Sequence, residues 1–576
     1  MNWRKRNVRT SRSALWIVSI TSLILVLFSV LQQGGRYSVI SSDGIGYYSY
    51  LTHIFETNSF SQQVPDNRFV FDFKGKGVNK YYVGTAISMS PFYALGKLFS
   101  SEGSTSSSFS YQFAISLSGI FYLILGLIFT QKLLRLFHFS ETVISITLLL
   151  FFFGTNLLVY SVFQPSMSHV YSFCWVAAFL FFTKKYALSV KSEYLYASIA
   201  CLALLVLVRP INGIVVFLIP FLVGSWQGTM FYFWSIFSKK RLVFSVLIFL
   251  LISGIQPLMW YLQSGNWWIW SYAQEGFYFS SPHLFDFLFS FRKGVFIYTP
   301  MLLFSFLGGI LWLSKNRFQG IGVLLFFVGV VYLLSSWWNW YYGPSFGQRP
   351  LVDFYSISAV LLALSVKQFL GSRQQYIALF LGVIFVLLNL FQTYQFQNGI
   401  ISSWDMNWKK YQYSFLKISS THQNKLGGNN DIMLYNAKTT NLVQVNYEFD
   451  SKDTESLDYT NKEFGWEHLF LADSNFITSR GIYLKVDLEL FDSNISNQNG
   501  ALFVVDLQDS NGQNYHYYTF PIRDVPPNKL GWKKEQYQIE LPKIRRSGDR
   551  LKLYIWNKEN ESFLLDNLKV NVIGIN

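Results

Sequence analysis

One acidic residue stands where chemistry can be done. Asp43 lies in the string SSDGIGYYSYL, a dozen residues beyond the first long apolar run, and Tyr47, Tyr48 and Tyr50 follow it closely. A carboxylate near a membrane surface and among aromatic rings is partly desolvated, which can poise it as a general base. The ordinary alternative is a turn, because Asp-Gly is a common turn dipeptide. Arg209 is wedged by Pro210 between two apolar runs. An ionisable side chain so placed is expensive and reads as functional. Arg349 follows Gly343-Pro344-Ser345-Phe346-Gly347, read here as a flexible turn able to swing it over a site. Lys80 precedes Tyr81-Tyr82, Arg292 lies in FSFRKGVFIYTP, and His169 follows QPSMS at the start of an apolar run. Basic residues at a membrane boundary also snorkel toward headgroups. That is the reading taken for Lys97 and Lys293, and a packed surface residue is the alternative for His169.

These residues need a scaffold, and the composition says which kind. Of 576 residues, 51 % are hydrophobic, 19 % aromatic and only 14 % charged. Soluble domains carry roughly 25 % charged residues. A soluble enzyme, a disordered tail and a disulfide scaffold are excluded, and a polytopic membrane protein is implied. The charge is unevenly spread. Residues 401–576 hold 20 Lys+Arg against 22 Asp+Glu, and residues 1–400 hold 27 against 10. The basic excess therefore belongs to the membrane part and does not suggest nucleic acid. Cys174 and Cys201 both fall inside apolar runs and suggest neither a metal site nor a disulfide framework.

The apolar runs give eleven expected spans, near 14–31, 111–130, 142–160, 168–183, 194–208, 211–225, 242–260, 296–314, 319–336, 351–366 and 375–394. With the N-terminus in the cytoplasm, 17 of the 27 basic residues fall in the short cytoplasmic segments, as the positive-inside rule requires. Eleven spans then put the C-terminal part outside. The first span has a basic flank but no small-residue cleavage site after it, and reads as an uncleaved signal anchor. Most acidic residues of this half, among them Asp43, Asp66, Asp72, Glu275 and Asp353, fall on the outer side, so the chemistry is expected there. No phosphate-binding P-loop string is present, which argues against an ATP-driven pump. The short loops and the lack of retention signals suit a bacterial inner membrane.

Three organisational features follow. The first outer loop is long, about residues 32–110. Residues 395–435 read as a linker between a membrane domain (1–394) and a C-terminal domain (436–576). In the latter the period changes from helical to alternating. The runs Leu442–Phe449, Tyr483–Phe491, Ala501–Leu507, Tyr515–Ile522, Gln536–Leu541, Leu551–Asn557 and Phe563–Ile575 suggest an all-β sandwich. The ending LKLYIWNKENESFLLDNLKVNVI resembles the last strands of jelly-roll carbohydrate-binding modules. That resemblance implies a sandwich that binds an acceptor glycan. The alternative is a structural cap over the membrane domain.

A second resemblance covers most of residues 40–353. An acidic residue in the first outer loop, just after the first span, is the hallmark of GT-C-type glycosyltransferases. The strings NKYYVGTAISMSPFYALG (79–96), FGTNLLVYSVFQPSMSHVYSF (153–173), FSFRKGVFIYTP (289–300) and WWNWYYGPSFGQRPLVD (337–353) resemble segments of one bacterial branch of that superfamily, in the same order. The branch is related to mannosyltransferases and aminoarabinose transferases. The resemblance implies a GT-C-like fold and transfer, with inversion, from a polyprenyl-phosphate-linked sugar to a glycan, lipid or protein acceptor on the outer face. Asp43 would be the base. Lys80, Arg209, Arg292 and Arg349 would supply positive charge for the departing phosphate. His169, Tyr47 and Tyr48 would line the pocket. Trp337, Trp338, Trp340, Tyr341 and Tyr342 could stack on a sugar, but read first as an interfacial aromatic belt.

No cofactor is expected to be required. A divalent cation is used by some relatives, but no tight D-x-D string occurs here. The competing functional reading is a lipid-linked-sugar flippase or transporter. Against it, the charged residues are not mid-span and no two repeated halves are apparent.

Overall fold

In the computed structural model, the chain is described for residues 2–34, 37–56, 69–101, 108–272, 275–404, 406–423, 425–426, 439–447, 457–460, 462–479, 481–492, 501–522, 531–542, 544–557 and 562–575. It divides into two compact units, Met1–Tyr394 and Gln395–Asn576. The first is helical and the second mostly β.

Among the described residues, six helices are long and apolar enough to cross a membrane: Ser11–Gln33, Phe109–Leu136, Lys239–Ser264, Arg317–Ser335, Arg349–Phe369 and Gln375–Gln397. Glu141–Phe153, Ser192–Val208, Pro210–Val223 and Leu302–Lys315 are apolar but shorter. The chain is thus a polytopic membrane protein, although several expected spans are short or broken. The sixth is not one α-helix. A 3-10 segment, Pro210–Leu218, passes into a short α-helix, Ile219–Val223. Pro210 supplies no N–H and presets φ, so the break falls at Arg209.

The helices start and meet by local chemistry. Ser140 caps Glu141–Phe153 by accepting from the Val143 N–H, and Asn316 caps Arg317–Ser335 by accepting from the Gln319 N–H. The turn between Phe109–Leu136 and Glu141–Phe153 is closed by an Arg135–Glu141 ion pair at 2.7 Å, to which Ser11 of the first helix also bonds. Lipid gives helices no hydrophobic reason to associate, so close packing rests on small residues. At Gly84 an added Cβ would lie 2.4 Å from the Leu207 carbonyl carbon. At Gly308 it would meet the Leu361 carbonyl oxygen.

The long first loop is not irregular where it is described. It holds two helices, Asp43–Phe55 and Gly84–Leu98, and a hairpin of β1 (Val70–Phe73) and β2 (Lys76–Asn79). The hairpin turns at Lys74 and Gly75, both at positive φ, as a two-residue turn of this hand demands. Asp66 lies outside the described residues.

The second unit opens with an ordered segment where a linker was expected. It includes the helix Trp408–Ser414 and buries Ile400, Ile401 and Met406. Nine strands follow. In chain order they are β3 (Thr439–Tyr447), β4 (Leu457–Asp458), β5 (Phe464–Leu471), β6 (Gly481–Asp492), β7 (Leu502–Gln508), β8 (Asn514–Pro521), β9 (Trp532–Leu541), β10 (Arg550–Trp556) and β11 (Phe563–Ile575). They form two antiparallel sheets, β5-β10-β7-β8 and β3-β11-β6-β9, with β4 beside β11. Both sheets contribute alternate residues to one core, including Phe503, Val505, Leu553, Leu484, Val486 and Val570. This is a sandwich. Strand β5 was not among the expected runs, because Gly465, Glu467 and His468 interrupt its apolar pattern.

Candidate functional site

Asp43 is set by what surrounds its helix. The approach to it is clamped by Gln112, whose Oε1 accepts from the Val39 and Ile40 N–H groups at 2.7 and 2.9 Å. Ser42 sits at φ 51 and ψ −138, a sparsely populated positive-φ backbone immediately before the helix. Gly44 lies against Ser166, where any Cβ would overlap the hydroxyl. The helix Asp43–Phe55 is therefore pressed onto the 164–168 loop that leads into the helix His169–Ser189. A π segment, Val159–Phe163, precedes that loop, a device often found beside functional sites.

Arg349 reaches Asp43 from the far end of the unit's sequence. Its Nη2 lies 2.7 Å from Asp43 Oδ2, with the two side chains 9 % and 24 % exposed. Its Nη1 lies 3.4 Å from the Met167 sulfur. The turn before Arg349 is tied on both sides by hydrogen bonds rather than standing free. The Phe346 N–H donates to the Tyr160 hydroxyl at 2.9 Å, and its carbonyl accepts from Tyr160 and from Asn156, both at 3.1 Å. Lys293 donates to the Ser345 carbonyl. Lys293 is 2 % exposed, so it does not snorkel but pins the turn from inside. Lys97 is exposed, as expected.

Burial alone would raise the Asp43 carboxyl pKa. The Arg349 guanidinium, a hydrogen bond from Tyr81, and the charge of Lys80 together hold it below the ordinary carboxylate value. Tyr47 lies on the same helix, its ring 4.5 Å from that of Tyr81 and its hydroxyl 3.3 Å from Ser168 Oγ. Burial and the Asp43 charge push the Tyr47 phenol up to about 12.

A second charged group adjoins the first. Asp353 stands four residues after Arg349, in the same 3-10 segment Arg349–Phe354, and is fully buried. Its Oδ1 lies 2.9 Å from His169 Nδ1, and its Oδ2 accepts from Arg209 Nη1 at 2.9 Å and Asn212 Nδ2 at 2.8 Å. Burying a carboxylate costs several kcal/mol unless its lone pairs are filled, and here three donors fill them. A carboxylate only accepts, so His169 Nδ1 carries its proton and a neutral ring offers a lone pair at Nε2.

Lys80 pairs with Glu275 and lies over the rings of Tyr272 and Tyr81, 5.5 and 5.9 Å from their centroids. It is held there through Asn79, which is fully buried. Asn79 donates to the Gly46 carbonyl at 2.9 Å and Ser49 Oγ at 3.0 Å, and accepts from the Tyr81 N–H at 2.8 Å.

Of the expected site residues, Asp43, Arg349, His169, Arg209, Tyr47 and Lys80 thus converge. Tyr48 does not; it faces Tyr93, 5.7 Å between centroids, on another side of the helix. Arg292 is engaged differently, stacked on Tyr341 at 3.4 Å. Of the aromatic string, Trp337 packs on Phe277 and Tyr272, Trp340 on His283, and Tyr342 is buried. Asp353, Asn212, Tyr81 and Glu275 join the cluster without having stood out from the sequence as site residues. The available signal was spacing: Asn212 is three residues after Arg209, and Asp353 is four after Arg349.

Two buried amides complete the cluster. Among the described residues Asn212 Oδ1 and both amide atoms of Gln348, the neighbour of Arg349, have no hydrogen-bond partner. Each such atom costs about 1–3 kcal/mol, a cost that a polar ligand removes. No group of three His, Cys, Asp or Glu side chains able to hold a metal occurs among the described residues. Asp43 and Asp353 are each matched by a guanidinium, so as arranged they do not fit a resident divalent cation.

Fold and site together define a polytopic membrane protein with a buried, charge-paired cluster. No family model matches the chain, and no curated protein matches it. Among solved structures, the chain is similar to the oligosaccharyltransferase of Archaeoglobus fulgidus. In the apo form the identity is 14 %, over 73 % of this chain and 62 % of that one, with a TM-score of 0.40. For the same enzyme, AglB, with an inhibitory peptide and a dolichol-phosphate, identity is 14 % over 75 % and 62 %, with a TM-score of 0.39. For the form tethered to an acceptor peptide containing the NVT sequon it is 14 % over 69 % and 55 %, also at 0.39. The chain spans about three fifths of the length of the first two of these structures, and a likeness this distant assigns no activity.

Proposed function

We propose that this protein is a membrane glycosyltransferase that moves a sugar from a polyprenyl-phosphate donor to an acceptor on the outer face, with inversion and with Asp43 as base. The observation that carries the reading is the Asp43–Arg349 pair, with Arg209 close by: one reachable carboxylate beside two guanidinium groups in a largely buried setting. Such a site suits a reaction in which an acceptor loses a proton while a phosphate departs.

The acceptor oxygen attacks the anomeric carbon and its proton passes to Asp43. The bond from that carbon to the phosphate oxygen breaks, and the electron pair leaves with the polyprenyl phosphate. Arg349 and Arg209 stabilise the growing negative charge, as fixed cations in a poorly solvated site do well. Lys80, itself paired with Glu275, adds to the positive field at Asp43. His169 and Asn212, with Arg209, are held by Asp353. Sugar hydroxyls would fill the open amide positions of Gln348 and Asn212. The acceptor is a glycan, a lipid or a protein.

The test is transfer from a set of radiolabelled polyprenyl-phosphate sugars, in membranes holding equal amounts of wild type or Asp43→Asn. Loss of transfer by about 10²- to 10⁴-fold, the usual worth of a general base, with donor binding kept, is expected. Equal transfer by the two proteins would remove Asp43 from the mechanism.

A further inference from the structure

Between the broken sixth span and the helix Lys239–Ser264 the chain forms a helix too short to cross a bilayer, Trp226–Ile236. At 1.5 Å per residue it reaches about 16 Å, against roughly 30 Å for a hydrocarbon core. The Ser225 hydroxyl caps it by accepting from the Gly228 N–H. One face is held by the protein. Thr229 and Tyr232 are buried, the Tyr232 ring lies 5.2 Å from that of Tyr186, and the Tyr186 hydroxyl meets Ser235 Oγ at 2.7 Å. The opposite face is apolar and uncovered. Trp226, Met230, Phe233, Trp234 and Phe237 follow the spacing of a single helical stripe. Trp226 is 62 % exposed and Trp234 71 %. Phe231, also exposed, stands on the flank of the stripe.

Arg241 fixes the level at which this helix lies. Its Nη1 donates to the Ser235 carbonyl at 2.9 Å, its Nη2 to the Val190 carbonyl at 3.1 Å and its Nε to Ser192 Oγ at 3.1 Å. The helix is thereby tied to the place where His169–Ser189 ends and where Ser192–Val208 and Lys239–Ser264 begin. Ends of apolar helices mark the boundary of the hydrocarbon core, where Trp rings are enriched. The exposed Leu242, Val243, Phe244 and Leu247 of the adjoining span continue the apolar surface, so the stripe meets the same lipid. Lys239 and Lys240 stand next to Arg241 and are exposed. Among the described residues no carboxylate pairs with them, and between Glu193 and Glu275 the sequence holds no acidic residue. Arg241 is consumed by bonds within the protein, which leaves the two lysines for an outside partner. That partner must be apolar against the stripe and anionic beside it.

We infer that Trp226–Ile236 is an in-plane interfacial helix that docks on anionic phospholipid. Its aromatic stripe lies between headgroups and acyl chains, and Lys239 and Lys240 take the lipid phosphates. A zwitterionic headgroup matches its own phosphate with an ammonium group, whereas phosphatidylglycerol leaves the phosphate charge for the lysines. Each lysine at such a surface is worth roughly fivefold in binding. The site lies on its own helix and does not depend on the transfer reaction.

The experiment places the full chain in nanodiscs of phosphatidylcholine and phosphatidylglycerol in equal amounts. The phospholipids still bound after transfer to detergent are counted by mass spectrometry. Wild type is expected to retain phosphatidylglycerol in preference. With Lys239→Gln and Lys240→Gln together, the preference is expected to fall about fivefold or more. Arg317→Gln, at the start of another span, is expected to leave it nearly unchanged. In a second measurement a nitroxide is attached through Trp234→Cys, since Cys174 and Cys201 are buried and escape labelling. The label is expected to be relaxed by oxygen rather than by an aqueous nickel chelate, at a depth of about 5–10 Å. Equal retention of the two lipids by wild type would overturn the inference, as would an equal loss of preference in Arg317→Gln. So would a label reached by the chelate, or one shielded from both reagents by a second protein chain.

Discussion

Arg349 holds the Asp43 carboxylate at 2.7 Å, although the two residues lie near opposite ends of the helical unit's sequence. The pair joins the helix Asp43–Phe55 to the 3-10 segment Arg349–Phe354. Through Asp353 that segment also holds His169, Arg209 and Asn212.

The pair sets a pH dependence. With its pKa held below the ordinary value of about 3.9, Asp43 stays ionised at any working pH. The stability it contributes is present above its unfolded pKa and is lost as pH falls through the lower folded one. Transfer by wild type is therefore expected to show no acid limb above about pH 4. In Arg349→Gln burial is left as the largest influence, so an acid limb should appear above that value. A pH–rate profile from 4 to 8 that is identical in both proteins would show that Arg349 does not tune Asp43.

Asp353→Ala leaves the Arg209 charge without its carboxylate. Breaking a largely buried pair on one side costs about 3–5 kcal/mol, and Arg209 is only 16 % exposed. An earlier thermal unfolding in detergent is expected, together with weaker donor binding because Arg209 is no longer aimed. Asp353→Asn retains acceptor capacity and should lose less. Equal loss in the two variants would contradict the positioning role.

Gly84→Ala tests how Arg209 is placed. The new Cβ would press on the Leu207 and Val208 backbone at 2.4–2.5 Å, directly before Arg209. Backbone cannot swing aside as a side chain can, so a penalty of about 1–3 kcal/mol is expected, with a rise in the KM for donor. An unchanged KM and melting temperature would mean that the two helices separate freely there.

Asn79→Ala removes three hydrogen bonds that fix the hairpin end to the helix Asp43–Phe55. Loss of about 1–3 kcal/mol is expected from the polar groups left behind. Faster proteolysis around residues 69–82 and a fall in kcat through a displaced Tyr81 and Lys80 would accompany it. Protease protection equal to that of wild type would count against this.

Much of the architecture was legible because it follows from solvent. Long apolar runs must form helices in lipid, and short alternating runs must pair as strands. The broken sixth span was less legible, because hydropathy does not register a 3-10 segment. The candidate residues were half legible. Asp43, Arg209 and Arg349 stood out as charges beside apolar or glycine-rich strings. Asp353 did not, because a carboxylate in RPLVD looks like any boundary residue until three donors are found around it.

The sequence by itself determined the membrane class, the two-part organisation and which charges are costly enough to need a reason. Only the tertiary structure decided their partners. Hydropathy is a sum over neighbours in the chain, whereas an ion pair depends on distance in space. The pairings of Asp43 with Arg349, and of Asp353 with His169 and Arg209, join residues more than a hundred positions apart.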